Sequence, residues 1–255
     1  MRVFIGPRQL AYQSVGSGPV LVLLHAFPFD CRMWNQTAAA LASHRRVITP
    51  DMRGFGLSDL GAGGFSIADL ADDIAALLDA LDLPAATVGG MSMGGYVALA
   101  FAHRHGNRLK SLILADTKAA ADSPEARQGR EAALSLVQEQ GVAAFVEKQI
   151  PRLLSASASD GLRAEVRALG SQPTDTIIAA IRALRDRPDR TAELPEIAVP
   201  TLVVVGSEDA LSPAAEARTM AAAIPNARVA EIPGAGHLSN LENPDAFTAA
   251  LAGFH

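Results

Sequence analysis

Ser92 stands in Gly90-Met91-Ser92-Met93-Gly94, with a glycine two positions away on each side, and a hydroxyl so placed is a candidate nucleophile. With 21 Gly and 16 Ser in 255 residues, chance alone gives about 0.1 such match per chain, so context must carry the reading. Residues 87–89 before the motif read as a strand, and 96–102 after it read as a helix. A strand that turns sharply into a helix leaves its central residue in strained backbone geometry, and the flanking glycines let neighbouring backbone come close. The hydroxyl would then stand at the C-terminal edge of a sheet. The adjacent helix N-terminus carries partial positive charge, which favours a developing oxyanion. The plain alternative is a Gly-rich turn with an incidental serine.

A serine hydroxyl is a poor nucleophile until a base takes its proton, so a histidine is required. Six are present. His255 ends the sequence, and His103 and His105 close the helix expected after Ser92, where a cation suits the helix dipole. His44 lies in the polar run Ser43-His44-Arg45-Arg46, and His25 directly follows Val20–Leu24, where it reads as support for the next loop. His237 lies in Gly234-Ala235-Gly236-His237-Leu238, a glycine-flanked loop after the last strand-like run, and is the expected base. A carboxylate must orient the imidazole and stabilise its cation. Asp209 ends Gly206-Ser207-Glu208-Asp209 just after 202–205. Asp116, directly after 112–115, is its rival because it also ends a core strand.

Residues 92, 209 and 237 can meet only if several strands end at one edge. Strand-length apolar runs do recur. Arg2–Ile5 and 9–15 suit a leading antiparallel pair, followed by Val20–Leu24, 47–49, 87–89, 112–115, 202–205 and Ala227–Ile232. Near-continuous hydrophobic stretches fit strands buried on both faces of a parallel sheet; 47–49 and Ala227–Ile232 are weaker and are expected nearer the edges. Between them, 66–81 carries Ile67, Leu70, Ile74, Leu77, Leu78 and Leu81 at helical spacing, with Ser66 and Asp69 placed as a capping box. Ser212-Pro213 opens a helix to Ile224, and Asn243-Pro244 opens a terminal one. Alternating strands and helices predict an α/β fold with a mostly parallel central sheet flanked by helices. Residues 117–195 break the alternation with helical patterns alone, at 131–139 and 174–184. They are expected to form a helical cap inserted into a core of 1–116 and 196–255. This insertion holds 11 acidic and 11 basic residues and so advertises no strongly charged ligand.

The bulk composition fits this reading. Hydrophobic residues make up 49% and charged residues 19% of the sequence, enough to bury a substantial core. The net charge is −5 and basic residues do not cluster, which argues against nucleic acid and anionic membrane surfaces as partners. No apolar run approaches the roughly 20 residues needed to span a bilayer, and Met1 to Pro7 is far short of a signal-peptide core. A cytoplasmic location is the expectation. Cys31, the only cysteine, cannot form an intrachain disulfide and reads as a small buried side chain. No metal or cofactor is called for, and the composition leaves the oligomeric state open.

Taken together, these segments resemble the α/β-hydrolase superfamily nearly end to end. Beside the motifs around Ser92, Asp209 and His237, His25-Ala26-Phe27-Pro28 resembles the family's oxyanion loop after the third core strand. Asp51-Met52-Arg53-Gly54-Phe55-Gly56-Leu57-Ser58 resembles its D-x-R-G-x-G-x-S loop after the fourth, and Glu242-Asn243-Pro244 its ending. The resemblance implies Ser92, Asp209 and His237 as a catalytic triad, and the Phe27 and Met93 backbone N–H groups as the oxyanion hole. It implies a helical cap after the sixth strand. Asp51 and Arg53 are expected to pair and brace their loop. Ala26 replaces a common glycine, which would cost roughly 1 kcal/mol if the position needs φ > 0.

A serine at the motif's centre disfavours the dehalogenase and epoxide-hydrolase branches, which use aspartate there. The expected activity is cleavage of carboxylic esters of small to medium, mainly uncharged acyl substrates. Phe27, Phe29, Met33, Trp34, Met91, Met93 and Leu238 are candidates for an apolar pocket, with core packing as the competing role. Enol-lactone hydrolysis, by resemblance to 3-oxoadipate enol-lactonases, is the alternative, with cofactor-free perhydrolase or haloperoxidase chemistry suggested by Phe27-Pro28. A ligand receptor on the same fold is the non-enzymatic reading.

Overall fold

The computed structural model describes residues 1–254. Eight strands form one sheet: β1 (Arg2–Ile5), β2 (Arg8–Val15), β3 (Val20–Leu24), β4 (Arg46–Pro50), β5 (Ala86–Met91), β6 (Leu109–Ala115), β7 (Thr201–Gly206) and β8 (Ala227–Ile232). Their order is β1-β2-β4-β3-β5-β6-β7-β8. The leading pair is antiparallel, β2 meets β4 antiparallel, and every other pairing is parallel. Buried on both faces, β5 and β7 are covered along their whole length, as the unbroken apolar runs require. β8 is half-exposed and forms the edge. β4, expected near an edge, lies instead between β2 and β3, with Val47, Ile48 and Thr49 buried. Its short apolar run hid the fact that the β1–β2 hairpin covers its outer side.

Helices α1 (Asn35–Leu41), α2 (Ile67–Ala80), α3 (Met93–His105), α7 (Ala214–Ala223), α8 (Ser239–Glu242) and α9 (Pro244–Ala252) accompany the sheet. Three more, α4 (Pro124–Leu153), α5 (Asp160–Leu169) and α6 (Thr174–Arg185), lie consecutively between β6 and β7. The Ser66–Asp69 capping box opens α2 as the spacing predicts. α7 begins differently: Pro213 occupies its cap position without a side-chain bond, while the Ser212 N–H is given to Asp209. Gly141, at φ +82°, breaks α4 into two runs, an angle that glycine adopts at little cost.

The insertion is tied to the core by polar contacts to Asp30 and to the loop after β4. Buried Gln172 donates to Asp30 at 2.8 Å and accepts the Gly56 N–H at 2.9 Å, and the Thr176 hydroxyl donates to Gly54 O at 2.8 Å. Within the insertion itself, Arg187 and Asp122 form a buried pair at 2.6 Å. Among the described residues, no helix is long and apolar enough to cross a membrane.

The expected Asp51–Arg53 pair is not formed. Arg53 forks onto Asp73 of α2, with both bonds at 2.7 Å, and Asp73 also accepts Arg8 at 2.9 Å. Asp51 instead accepts the N–H groups of Cys31 and Leu57, each at 2.9 Å. Both residues do brace the loop, Arg53 through Asp73 on α2 and Asp51 through the N–H groups of Leu57 in the same loop and Cys31 beyond it. Removing Asp73 would leave the Arg53 guanidinium buried without its counter-ion, whose loss costs about 3–5 kcal/mol. Asp73→Ala should lower the urea midpoint accordingly. Asp72→Ala, at an exposed pair with Arg104, should cost no more than about 1 kcal/mol.

Candidate active site

Ser92 sits between the end of β5 and the start of α3 at φ +53°, ψ −112°. That conformation costs a non-glycine residue on the order of 1–3 kcal/mol and is held by close backbone packing. A Cβ on Gly90 would lie 2.0 Å from Gly94 O, and one on Gly94 would lie 2.2 Å from Leu24 O. Both glycines are therefore required by space. Thr117 fastens the turn from the next strand end, its hydroxyl donating to Ser92 O at 2.9 Å.

Ser92, His237 and Asp209 meet as one hydrogen-bonded chain. His237 Nε2 lies 2.8 Å from Ser92 Oγ, and His237 Nδ1 lies 2.8 Å from Asp209 Oδ2. The other oxygen of Asp209 accepts the N–H groups of Leu211 at 2.8 Å and Ser212 at 3.0 Å. The carboxylate is thus fixed on both sides, and its side chain is fully buried. Burial works against a charge on His237, but the hydrogen bond and charge of Asp209 outweigh it and raise the imidazole above its ordinary value. An Asp followed two and three residues later by free N–H groups is a turn signature, and it was legible in Asp209-Ala210-Leu211-Ser212.

Asp116, the rival carboxylate, is buried close by but bonded elsewhere. It accepts the Gly206 N–H at 2.8 Å and the Ser239 hydroxyl. Burial, reinforced by the nearby Asp209 charge, pushes its carboxyl up to about 8, against the opposing pull of His237, Ser239 and Gly206. His25 also has a supporting place: its Nε2 accepts the Met52 N–H at 3.0 Å, which leaves Nδ1 to donate to Ala26 O at 3.1 Å. Burial lowers its pKa, consistent with a neutral ring.

Among the described non-glycine residues, positive φ is confined to Asp82, Ser92 and Asp116. Ala26 is therefore unstrained, and the Phe27–Pro28 bond is cis. The N–H groups of Phe27 and Met93 have no hydrogen-bond acceptor among the described residues, and both Phe27 and Ser92 line the same cleft. Asp30, Cys31 and Asp51 bring ligand-type atoms within 4.8 Å of one another. Their oxygens, however, are engaged by Arg32, Gln172 and backbone N–H groups, so this set is spent on holding loops.

The cleft over Ser92 and His237 measures about 360 Å³ and is roofed by Phe145, Leu153, Ile181 and Leu184 of the insertion. Of the seven apolar candidates only Phe27 faces it; Phe29, Met33, Trp34, Met91, Met93 and Leu238 are core. The lining also carries charge, since Lys118, Asp122, Glu125, Arg130 and Arg152 reach the cleft although the balanced charge of the insertion advertised no strongly charged ligand. Charge balance over 117–195 averages the outer and inner faces of the insertion, so it could not predict which charges turn inward.

Residues 19–244 match the family described as alpha/beta hydrolase fold. The chain belongs to that family. The protein is thus a hydrolase of the α/β fold, and its relatives fall into more than one branch. It is 39% identical to a thermophilic esterase from Thermogutta terrifontis solved with malate bound, covering 99% of this chain and 97% of that one at a TM-score of 0.94. It is 31% identical to the enol-lactonase from Burkholderia xenovorans LB400, covering 99% and 98% at a TM-score of 0.91. The 3-oxoadipate enol-lactonase 1 of Acinetobacter baylyi is 31% identical over 93% of this chain and 89% of its own length.

His25 and His237, the two buried histidines among the described residues, should separate on titration. NMR of the imidazole resonances should give His237 a midpoint above 6.5 and His25 one below it. The reverse order would show that Asp209 does not hold His237 as described.

Proposed function

We propose that the protein hydrolyses carboxylic esters or lactones through an acyl-enzyme on Ser92. The observation that carries this reading is the continuous Ser92–His237–Asp209 chain opening on a cleft. In the proposed reaction His237 Nε2 takes the Ser92 proton as Oγ attacks the carbonyl carbon. The N–H groups of Phe27 and Met93 receive the developing oxyanion, and the protonated imidazole, stabilised by Asp209, gives its proton to the leaving alkoxide. Water then repeats the sequence on the acyl-enzyme. A lactone differs only in that its leaving oxygen stays attached to the acyl chain. Residues 117–195 act as a cap that shields the acyl group from water, while the core loops supply the reacting groups.

Ser92→Ala should abolish stoichiometric labelling by an organophosphate and cut p-nitrophenyl acetate turnover by about 10⁶-fold. Asp209→Asn should lower turnover by about 10⁴-fold, and Asp116→Asn by far less. Persistent labelling of the alanine variant would place the nucleophile elsewhere, and the opposite ranking of the two asparagine variants would move the acid to Asp116.

A second reading, favoured by the cleft's lining, is that the acyl or lactone part carries a carboxylate. Lys118 and Arg152 line the cleft and make no ion pair among the described residues, whereas Asp122 is already shared between Arg130 and Arg187. The malate bound to the Thermogutta terrifontis esterase is a dicarboxylate, which supports the same idea. A charge-assisted hydrogen bond is worth about 1.5–3 kcal/mol, or roughly 10- to 100-fold in affinity. Lys118→Ala should therefore raise KM for a succinate monoester by that factor and leave p-nitrophenyl acetate nearly unchanged. Equal effects on both esters would count against an anionic substrate.

A further inference from the structure

Glu242 belongs to the sequence ending singled out beside His237, and the proposed chemistry makes no use of it. Its carboxylate is divided between two parts of the molecule. One oxygen accepts the Gly236 N–H at 2.8 Å, immediately before the histidine, and the other accepts the Ser155 N–H at 2.9 Å, two residues beyond the end of α4. A third bond runs beside them, from the Leu238 N–H to Leu153 O at 3.2 Å. The backbone on both sides of His237 is therefore fastened to one short stretch of the insertion, Leu153 to Ser155. That stretch also reaches substrate space, since Leu153 lines the cleft with Ser92 and His237.

The approach is too close for a side chain at residue 236. A Cβ on Gly236 would lie 2.7 Å from Ser155 N and 2.9 Å from the Glu242 carboxylate. Elsewhere the histidine loop is pinned from the core, by Glu208 N–H donating to Ala235 O at 2.8 Å and by Asn240 donating to Met33 O at 2.8 Å. Between the insertion and the histidine loop, Glu242 is the only side chain among the described residues that accepts from both segments at once.

We propose that Glu242 is a positioning residue that locks the cap to the His237 loop, so that the imidazole meets Ser92 and Asp209 only with the end of α4 seated over the cleft. The proposal rests on the reading of Ser92 as nucleophile and His237 as base. Misplacing a catalytic group by about 1 Å can cost about 100-fold in rate, so a shared acceptor at this point has a direct route to turnover. It also makes a distinctive demand on pH dependence. Burial lowers the His237 pKa, but the hydrogen bond and charge of Asp209, with a lesser contribution from Asp116 and against a small opposing one from Lys118, prevail and raise it. Loosening the Asp209 contact must lower the histidine's pKa toward its ordinary value. Since the base acts when unprotonated, the acid limb of the kcat/KM profile must move to lower pH.

The test uses Glu242→Gln, whose amide nitrogen cannot accept, so that one of the two N–H groups loses its partner. Glu242→Asp, one methylene short of spanning both, serves as a second variant should the first fail to fold. Active sites are titrated with an organophosphate, and kcat and KM for p-nitrophenyl acetate are followed across pH beside thermal unfolding. Per labelled site, kcat should fall about 10- to 100-fold and the acid limb should shift downward. A variant with lower thermal stability but the parental limb and kcat per labelled site would reduce Glu242 to a structural brace and overturn the proposal. The labelling separates the two ideas: an unmodified protein that does not label at Ser92 refutes the reading of the site, whereas normal labelling with an unmoved limb refutes only the lock.

Discussion

Everything at the site depends on how closely α3 lies against β3 and β5. At Gly94 the helix backbone comes so near Leu24 O that no side chain fits between them, and Gly90 in turn touches the first turn of α3. The strained φ of Ser92 follows from that contact, because the chain must leave β5 and enter α3 with no room for a gentler turn. The cost is local and modest. It is sustained by the packed strands on either side and by the Thr117 hydroxyl on Ser92 O.

Around this fixed serine, buried polar groups are kept apart by their hydrogen bonds. Asp209 and Asp116 both sit just past the ends of neighbouring strands and both are buried. They differ in what donates to them. Asp209 holds two backbone N–H groups and the imidazole, an arrangement suited to an anion. Asp116 holds one N–H and a hydroxyl and is pushed toward neutrality by its surroundings. Two carboxylates near one histidine are in this way given different surroundings by the groups that donate to them. His25 shows the same principle with the opposite outcome for a base: the Met52 N–H occupies the lone pair that a catalytic role would need.

The helical insertion contributes shape and charge to the cleft, and it is fastened to the core at more than one place. Gln172 and Thr176 secure it to the loop after β4, while Glu242 and Leu153 secure it to the histidine loop. Apolar contact adds to these bonds, since the Phe27 and Phe145 rings lie 5.6 Å apart across the boundary. The same surfaces that hold the insertion in place thus also define the space available above Ser92.

The sequence by itself determined the alternation of strands and helices, the strandless stretch at 117–195, and the three side chains that meet at the site. Each of these is written in local patterns: unbroken apolar runs for buried strands, a capping box at Ser66, and glycines two positions from Ser92. It could also have revealed the turn after Asp209. Contacts between residues far apart in the chain carry no such local mark. That Arg53 pairs with Asp73 rather than Asp51 was decided only by the way α2 packs against the loop after β4. The place of β4 inside the sheet was likewise decided by the pairing of β2. The cleft's character was decided in the same way, because folding turned Lys118 and Arg152 toward Ser92 and sent Met91, Met93 and Trp34 into the core. Composition counts a charge or a methyl group wherever it occurs, but which face of an element it occupies depends on what that element packs against, and that is fixed only when the whole chain has folded.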